Sequence, residues 1–234
     1  MLKYCSFGVD TVRIIEEYLK KHTFSENDIK AYEKIVLDSN DPRKYYNFAK
    51  NVEGADVKTL KEKAFDFGVP DIMILFASSF PEYGIEKEQE FIIKLNDPQY
   101  ACKFACFVKN VDVERLQKII SDSNNYELAY FFAAHVKGAN IKELEDIVVK
   151  SNNSHYIYYF ALMVEGANKE RLLNKLLELG NFYDVIGYSA NIDYIDYKII
   201  KNTEFSNEET NKIKKLIYSK EVYNLIIKNA KIKS

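Results

Sequence analysis

The feature that most constrains the fold of this chain is a Phe-Ala pair that returns at intervals of 28 residues. An apolar residue follows four positions after each aromatic, as Val108 follows Phe104. The series consists of Phe48-Ala49, Phe76-Ala77, Phe104-Ala105, Phe132-Ala133, Phe160-Ala161 and the related pair Tyr188-Ser189. Self-similarity at a fixed period of about 20 to 50 residues is typical of stacked-repeat proteins, so the sequence predicts a repeat architecture.

Residues that end and begin helices return with the same step. One column contains only Gly and Asn, which tolerate the left-handed conformation found at helix ends. Its members are Asn40, Gly68, Asn96, Asn124, Asn152 and Gly180. Two positions later Pro42, Pro70 and Pro98 suit the first position of a helix, where a backbone N–H is not required. Between these marks the apolar residues have the i, i+3, i+4, i+7 spacing of a helix face, so each repeat is predicted to be two helices joined by a short turn.

These patterns predict an all-α fold, a right-handed α-solenoid of tandem 28-residue helix-turn-helix repeats. We expect residues 1–234 to form a single domain. It would begin with a divergent repeat at 1–40, continue with six repeats over 41–208, and end with a capping helix pair at 209–234. A cap is expected because interior repeats are apolar on both stacking faces.

The repeat at 69–96 departs from the pattern in its second helix. Glu88 stands where four other repeats have Leu60, Leu116, Leu144 and Leu172. We expect the apolar stripe of that helix to be formed instead by Phe91, Ile92 and Leu95.

Composition restricts where the protein can work. Hydrophobic residues make up 47% of the chain, which is enough for a substantial core. The first residues contain no apolar segment with a cleavage site. The most apolar stretch, 156–164, is far shorter than the roughly 20 residues of a spanning helix. The three cysteines, Cys5, Cys102 and Cys106, are too few for a disulfide framework. These observations favour a cytoplasmic protein with no membrane partner.

The repeats resemble short α-solenoid modules of the HEAT, armadillo and tetratricopeptide kind over nearly the whole chain. The tetratricopeptide pattern has a Trp and a longer period of about 34 residues, whereas this chain has no Trp. The Phe-Ala-x-x-Val-x-Gly-Ala-Asn/Asp form is also similar to repeat modules of low-GC bacteria and their phages. That resemblance implies a binding role, such as inhibition of a host defence system by a phage- or mobile-element-encoded protein. It identifies no functional residues.

Candidate catalytic and metal-binding residues are few. Cys102 and Cys106 are four residues apart and share a helix face, but a structural zinc site needs four ligands. Packing as buried thiols is the alternative, since free Cys behaves as a small hydrophobe. His22, His135 and His155 have no spacing shared with a nucleophile or carboxylate. We therefore expect no enzyme activity, metal or cofactor. The enzyme class that stays open is the HEAT-like DNA-repair glycosylase, a helical solenoid of similar length.

An apolar stripe on the first helix of the middle repeats is the strongest binding signal. The same positions are polar in the repeats 41–68 and 181–208. The stripe consists of Tyr100, Phe107, Leu128, Phe131, His135, Tyr156, Tyr159 and Met163. It predicts either an aromatic contact surface for a protein partner or packing between successive helices.

The C-terminal 38 residues carry nine Lys against four Glu, although the whole chain has a net charge of −2. The lysines of a predicted basic contact are Lys212, Lys215, Lys220, Lys228 and Lys231. They could neutralise phosphates, meet an acidic protein or simply face solvent. Nucleic acid could also be reached through a nucleoprotein partner. The sequence therefore predicts a non-catalytic scaffold that binds a protein partner, with a nucleic-acid-associated solenoid as the alternative.

Overall fold

The computed structural model describes residues 25–179, together with residues 184, 204–205 and 231–232. Residues 25–179 contain eleven α-helices. The helices are α1 (Glu26–Asp38), α2 (Pro42–Asn51), α3 (Val57–Phe65), α4 (Pro70–Ser79), α5 (Glu86–Leu95), α6 (Pro98–Phe107), α7 (Val113–Ser123), α8 (Tyr126–His135), α9 (Ile141–Lys150), α10 (Ser154–Met163) and α11 (Lys169–Leu179). A short 3₁₀ helix (Pro81–Tyr83) precedes α5. The predicted helical fold is confirmed for this part of the chain.

The even-numbered helices α2, α4, α6, α8 and α10, here called the A helices, each contain 10 residues. The odd-numbered helices are called the B helices. An Asp or Asn side chain caps four of the A helices by accepting backbone N–H bonds, as Asn125 does from Glu127 and Leu128. The exception is α4, where Val69 provides no side-chain cap and Pro70 begins the helix.

Left-handed residues stand between each B helix and the next A helix. They are Asn40, Gly68, Asn96, Asn124 and Asn152, with φ between 50° and 64°. Most residues with a Cβ are strained in this conformation. Gly has no Cβ and adopts it readily, and Asn tolerates it better than most residues. These five members of the Gly/Asn column therefore mark helix ends as predicted, and the sixth, Gly180, lies outside the described residues.

The chain divides into two compact units, residues 1–116 and 117–234. In the first compact unit α4 packs on both α2 and α6, and the aromatic rings of the Phe-Ala pairs fill the centre. Phe48, Phe76 and Phe104 are fully buried there. The hydroxyl groups of Tyr45 and Tyr46 are paired, since Tyr45 donates to the Leu37 carbonyl and Tyr46 bonds the Ser79 hydroxyl.

In the second compact unit α8 packs on α9 and α10, and α10 packs on α11. Phe132 and Phe160 are fully buried, as are Leu144 and Leu172 of the B helices. The same residue types therefore form the core of both compact units.

A polar side chain inside several B helices links them to the next B helix. Each accepts the backbone N–H of the capping residue 23 positions later. The acceptor and donor pairs are Glu33 with Asp56, Gln89 with Asp112, Gln117 with Asn140, and Glu145 with Asn168, at 2.7 to 3.1 Å. These bonds satisfy backbone groups that would otherwise be orphaned at a helix start. The hydrophobic pattern gave no indication of them.

The second helix of the repeat 69–96 follows the expectation only in part. Ile92 is fully buried, and Phe91 is half-buried with its ring 5.9 Å from that of Phe65. Leu95 is exposed, so its assignment to the apolar stripe was wrong. It is the last residue of α5, where the helix ends at the left-handed Asn96.

Two short strands depart from the helical pattern. β1 (Glu204–Phe205) pairs in parallel with β2 (Lys231–Ile232), Glu204 opposite Lys231 and Phe205 opposite Ile232. The dipeptide at 231–232 is therefore extended and not part of a helix. Apart from Asp184, β1 and β2, the predicted repeat at 181–208 and the predicted cap at 209–234 lie outside the described residues. Residues 1–24 also lie outside them.

Candidate functional site

The predicted apolar stripe lies partly in each compact unit. Tyr100 and Phe107 are on α6 in the first unit, and Phe107 is 64% exposed. In the second unit Phe131 and Met163 are 47% and 59% exposed. Large apolar side chains with this exposure are not packed between helices, so the packing interpretation fails at these three positions.

The other members of the stripe are not fully exposed. Leu128, Tyr156 and Tyr159 are half-buried, as is Tyr100, whereas His135 is exposed. Packing between α8 and α10 therefore accounts for part of the stripe, and the rest of each side chain faces solvent.

The second compact unit joins these residues into one connected group of rings, here called the aromatic cluster. It consists of Tyr126, Tyr130, Phe131 and His135 on α8 with His155, Tyr156, Tyr158 and Tyr159 on α10. Tyr130 is its centre, with its ring centroid 5.4 Å from Phe131, 5.7 Å from Tyr156 and 6.2 Å from Tyr159. Aromatic pairs at such distances are favourable beyond the area they bury.

Both ends of the cluster contain a histidine. The His135 ring stacks on Phe131, and its Nδ1 lies 2.9 Å from the Phe131 carbonyl oxygen. The His155 ring is 4.4 Å from Tyr159 and meets it edge-on. Nδ1 of His155 is also 3.8 Å from a carboxylate oxygen of Asp184. The cluster therefore has polar groups along an otherwise apolar surface.

The Glu127 carboxylate affects the electrostatics of the tyrosine rings. Burial raises the pKa of Tyr156, and the neighbouring Glu127 carboxylate adds to the increase. Burial also raises the pKa of Tyr130, with a further contribution from Tyr159. The hydroxyl groups of Tyr130 and Tyr156 are therefore neutral at physiological pH and can donate hydrogen bonds.

Sequence reasoning missed Tyr126, Tyr130, His155 and Tyr158. The signal was the density of rings in the two A helices, whose sequences are YELAYFFAAH and SHYIYYFALM. A single stripe at fixed offsets includes only the residues on one line of the helix surface. Rings on the neighbouring line meet across the contact between α8 and α10, which only the packing shows.

The cysteine pair does not provide a metal site. Cys102 is buried and Cys106 half-buried, and neither forms a disulfide bond. The neighbouring Cys106 and burial raise the pKa of Cys102 far above its ordinary value, so this thiol stays protonated and unreactive. Within the described residues, no group of three or more His, Cys, Asp or Glu side chains could hold a metal ion.

A second candidate is a cleft of about 660 Å³ in the first compact unit, beside α3 and α5. Its floor contains Lys61 and Glu88, which form a buried ion pair with a 3.3 Å separation, and the Lys61 ammonium group also donates to the Gly84 carbonyl. Glu88, where the other repeats have Leu, therefore has its charge partner in Lys61. Because Lys61 and Glu88 neutralise each other's charge, we assign this ion pair a structural role.

The predicted basic contact cannot be placed. Lys212, Lys215, Lys220 and Lys228 lie outside the described residues, and Lys231 is known only as a member of β2. In the part of the chain that the structure describes, no helix has the length and apolar character needed to cross a membrane.

No protein-family model, no curated protein and no solved structure matches this chain.

Proposed function

We propose that this chain is a non-catalytic scaffold, built of tandem 28-residue repeats that stack as a right-handed α-solenoid, and that it binds a protein partner through the aromatic cluster and the adjacent Met163. The repeat is supported by the A helices, which begin at residues 42, 70, 98, 126 and 154 and have equal length. A fully buried Phe occupies the seventh position of each.

The observation that carries the binding role is the exposure of Phe131, a member of the aromatic cluster, and of Met163, which lies one helical turn after Tyr159 on α10. Aromatic residues and Met are enriched in protein interfaces, where tyrosine combines a large apolar area with a hydroxyl for hydrogen bonding. A surface of this kind fits a contact hot spot. Inhibition of a host system is the form of binding that the repeat resemblance implies, and identification of the partner tests it.

The test is a tagged pull-down from a low-GC bacterial lysate, with and without nuclease, using wild type and Phe131→Asp. Tyr83→Asp is the matched control, because Tyr83 is an aromatic with 45% exposure in the first compact unit. We expect a nuclease-resistant protein that wild type and the control retain and Phe131→Asp loses. Capture of nucleic acid alone, unchanged by Phe131→Asp, would overturn the proposal and favour the C-terminal lysines.

A further inference from the structure

The charges of α8 and α10 restrict the chemistry of the partner. Glu127 is the only Asp, Glu, Lys or Arg among the twenty residues of these two helices. By contrast, α2 alone contains Arg43, Lys44 and Lys50. A second carboxylate, Asp184, approaches the His155 end of the aromatic cluster. The formal charges described on α8 and α10 and at Asp184 are therefore all negative.

Glu127 precedes Tyr130 by three residues on α8, a spacing that places their side chains on adjacent turns of one helix face. The Glu127 carboxylate neighbours the hydroxyl group of Tyr156, whose ring meets those of Tyr126 and Tyr130 at centroid distances of 5.2 and 5.7 Å. These three tyrosines are half-buried, so part of each is open to solvent. Aromatic rings attract cations through their negative faces, and a carboxylate at the same place adds to that attraction.

An anionic ligand is disfavoured at the same place. The N-termini of α8 and α10 could otherwise attract a phosphate. However, the Asn125 side chain already accepts the N–H groups of Glu127 and Leu128, and the Asn153 side chain accepts that of Tyr156. With those donors satisfied and two carboxylates nearby, a phosphate would meet repulsion.

We propose that the partner segment presents an arginine side chain to the tyrosines Tyr126, Tyr130 and Tyr156, with its guanidinium group paired to the Glu127 carboxylate. This inference rests on the proposed function and specifies the partner as a basic segment of a protein. Arginine fits better than lysine because its planar group stacks on rings and can form two parallel bonds to one carboxylate.

The experiment measures the fluorescence anisotropy of labelled octa-arginine, octa-lysine and octa-glutamate peptides titrated with the full chain at physiological ionic strength. We expect octa-arginine to bind, octa-lysine to bind more weakly, and octa-glutamate not to bind. Glu127→Gln and Tyr130→Leu should each weaken octa-arginine binding by about threefold to fivefold. Tyr130→Leu retains apolar bulk but removes the ring, and circular dichroism checks that both variants are folded.

Matched controls separate local recognition from general attraction. Glu165→Gln removes one exposed carboxylate from the same compact unit, and Tyr83→Leu removes one exposed ring from the other. Both controls should bind octa-arginine like wild type. The inference is overturned if wild type does not bind octa-arginine, if Glu165→Gln loses as much affinity as Glu127→Gln, or if octa-lysine binds equally well regardless of Tyr130→Leu.

The pull-down distinguishes failure of the arginine inference from failure of the proposed function. A protein partner that is lost with Phe131→Asp, together with octa-arginine binding unaffected by Glu127→Gln, would retain the scaffold and reject the arginine site. Absence of any partner dependent on Phe131 would reject the scaffold itself.

Discussion

The A helices of the two compact units bury the same residue type and expose different ones. Phe76 of α4 and Phe132 of α8 are both fully buried. Outside the core, α2 presents Arg43 and Lys50 to solvent, whereas α8 presents Phe131. The helix α6 is intermediate, since it exposes both Lys103 and Phe107.

This contrast separates two kinds of requirement. An inward position must fill a space of fixed shape between helices, so its residue is restricted. An outward position has no such restriction, and a charged residue there favours solubility. On α8 and α10 the exposed Phe131 and Met163 accompany half-buried rings that folding alone does not require at these positions, and we propose that this arrangement serves binding.

The largest loss of stability is expected for substitutions in the cores of the two compact units, and it shows whether these cores are equivalent. Phe76→Ala and Phe132→Ala should each lower the free energy of unfolding by about 3–5 kcal/mol, because each leaves a cavity in a packed core. Chemical denaturation followed by circular dichroism measures both. A loss of less than about 1 kcal/mol at either position would contradict the equivalence of the two cores.

The second prediction concerns the ion pair that is particular to the first compact unit. Lys61→Met should destabilise the protein by about 3–5 kcal/mol, because the Glu88 carboxylate would stay buried without a partner. The double variant Lys61→Met with Glu88→Leu restores the Leu of the other repeats and should be more stable than the single variant. Equal stability of the two in the same denaturation assay would show that the pair is not coupled.

The third prediction tests the hydrogen bonds between B helices. Gln89→Leu should cost about 1–3 kcal/mol, because the backbone N–H of Asp112 loses its acceptor. Gln89→Glu should retain most of the stability, since Glu33 and Glu145 make the same kind of bond. If Gln89→Leu and Gln89→Glu lower the free energy of unfolding equally, the hydrogen bond to the Asp112 N–H makes no specific contribution to stability.

The smallest change in stability is expected at Phe131, which directly precedes the buried Phe132. Phe131→Asp should alter the free energy of unfolding by about 1 kcal/mol or less, because nearly half of the side chain is already in water. Phe132→Asp serves as the contrast and should unfold the protein, since it places a charge in the core. A cooperative loss of helix in Phe131→Asp would instead place this residue in the packing between helices.

The helices and their ends could be predicted from the sequence because their causes are local. Asn96 and Asn124 end helices through their own backbone conformation, and Pro98 begins one through its missing N–H. The core residues could also be predicted from the sequence, because Phe132 belongs to a periodic pattern that only one face of a helix satisfies.

The candidate site was predictable only along one line of side chains. Phe131 and Met163 were among the predicted residues, but Tyr130, the centre of the ring cluster, was not. Its contacts with Tyr156 and Tyr159 are made across two helices that are separated along the chain. The charge partner of Glu88 was missed for the same reason, since Lys61 lies in a different helix.

Local sequence patterns were sufficient to predict the helical fold of residues 25–179, the helix ends and the buried phenylalanines, because backbone conformation and hydrophobic period are properties of neighbouring residues. Tertiary structure decided which stripe residues face solvent, which rings meet, and which buried polar groups are paired. Those outcomes depend on the distance between helices far apart in the chain, and a linear pattern does not contain that distance.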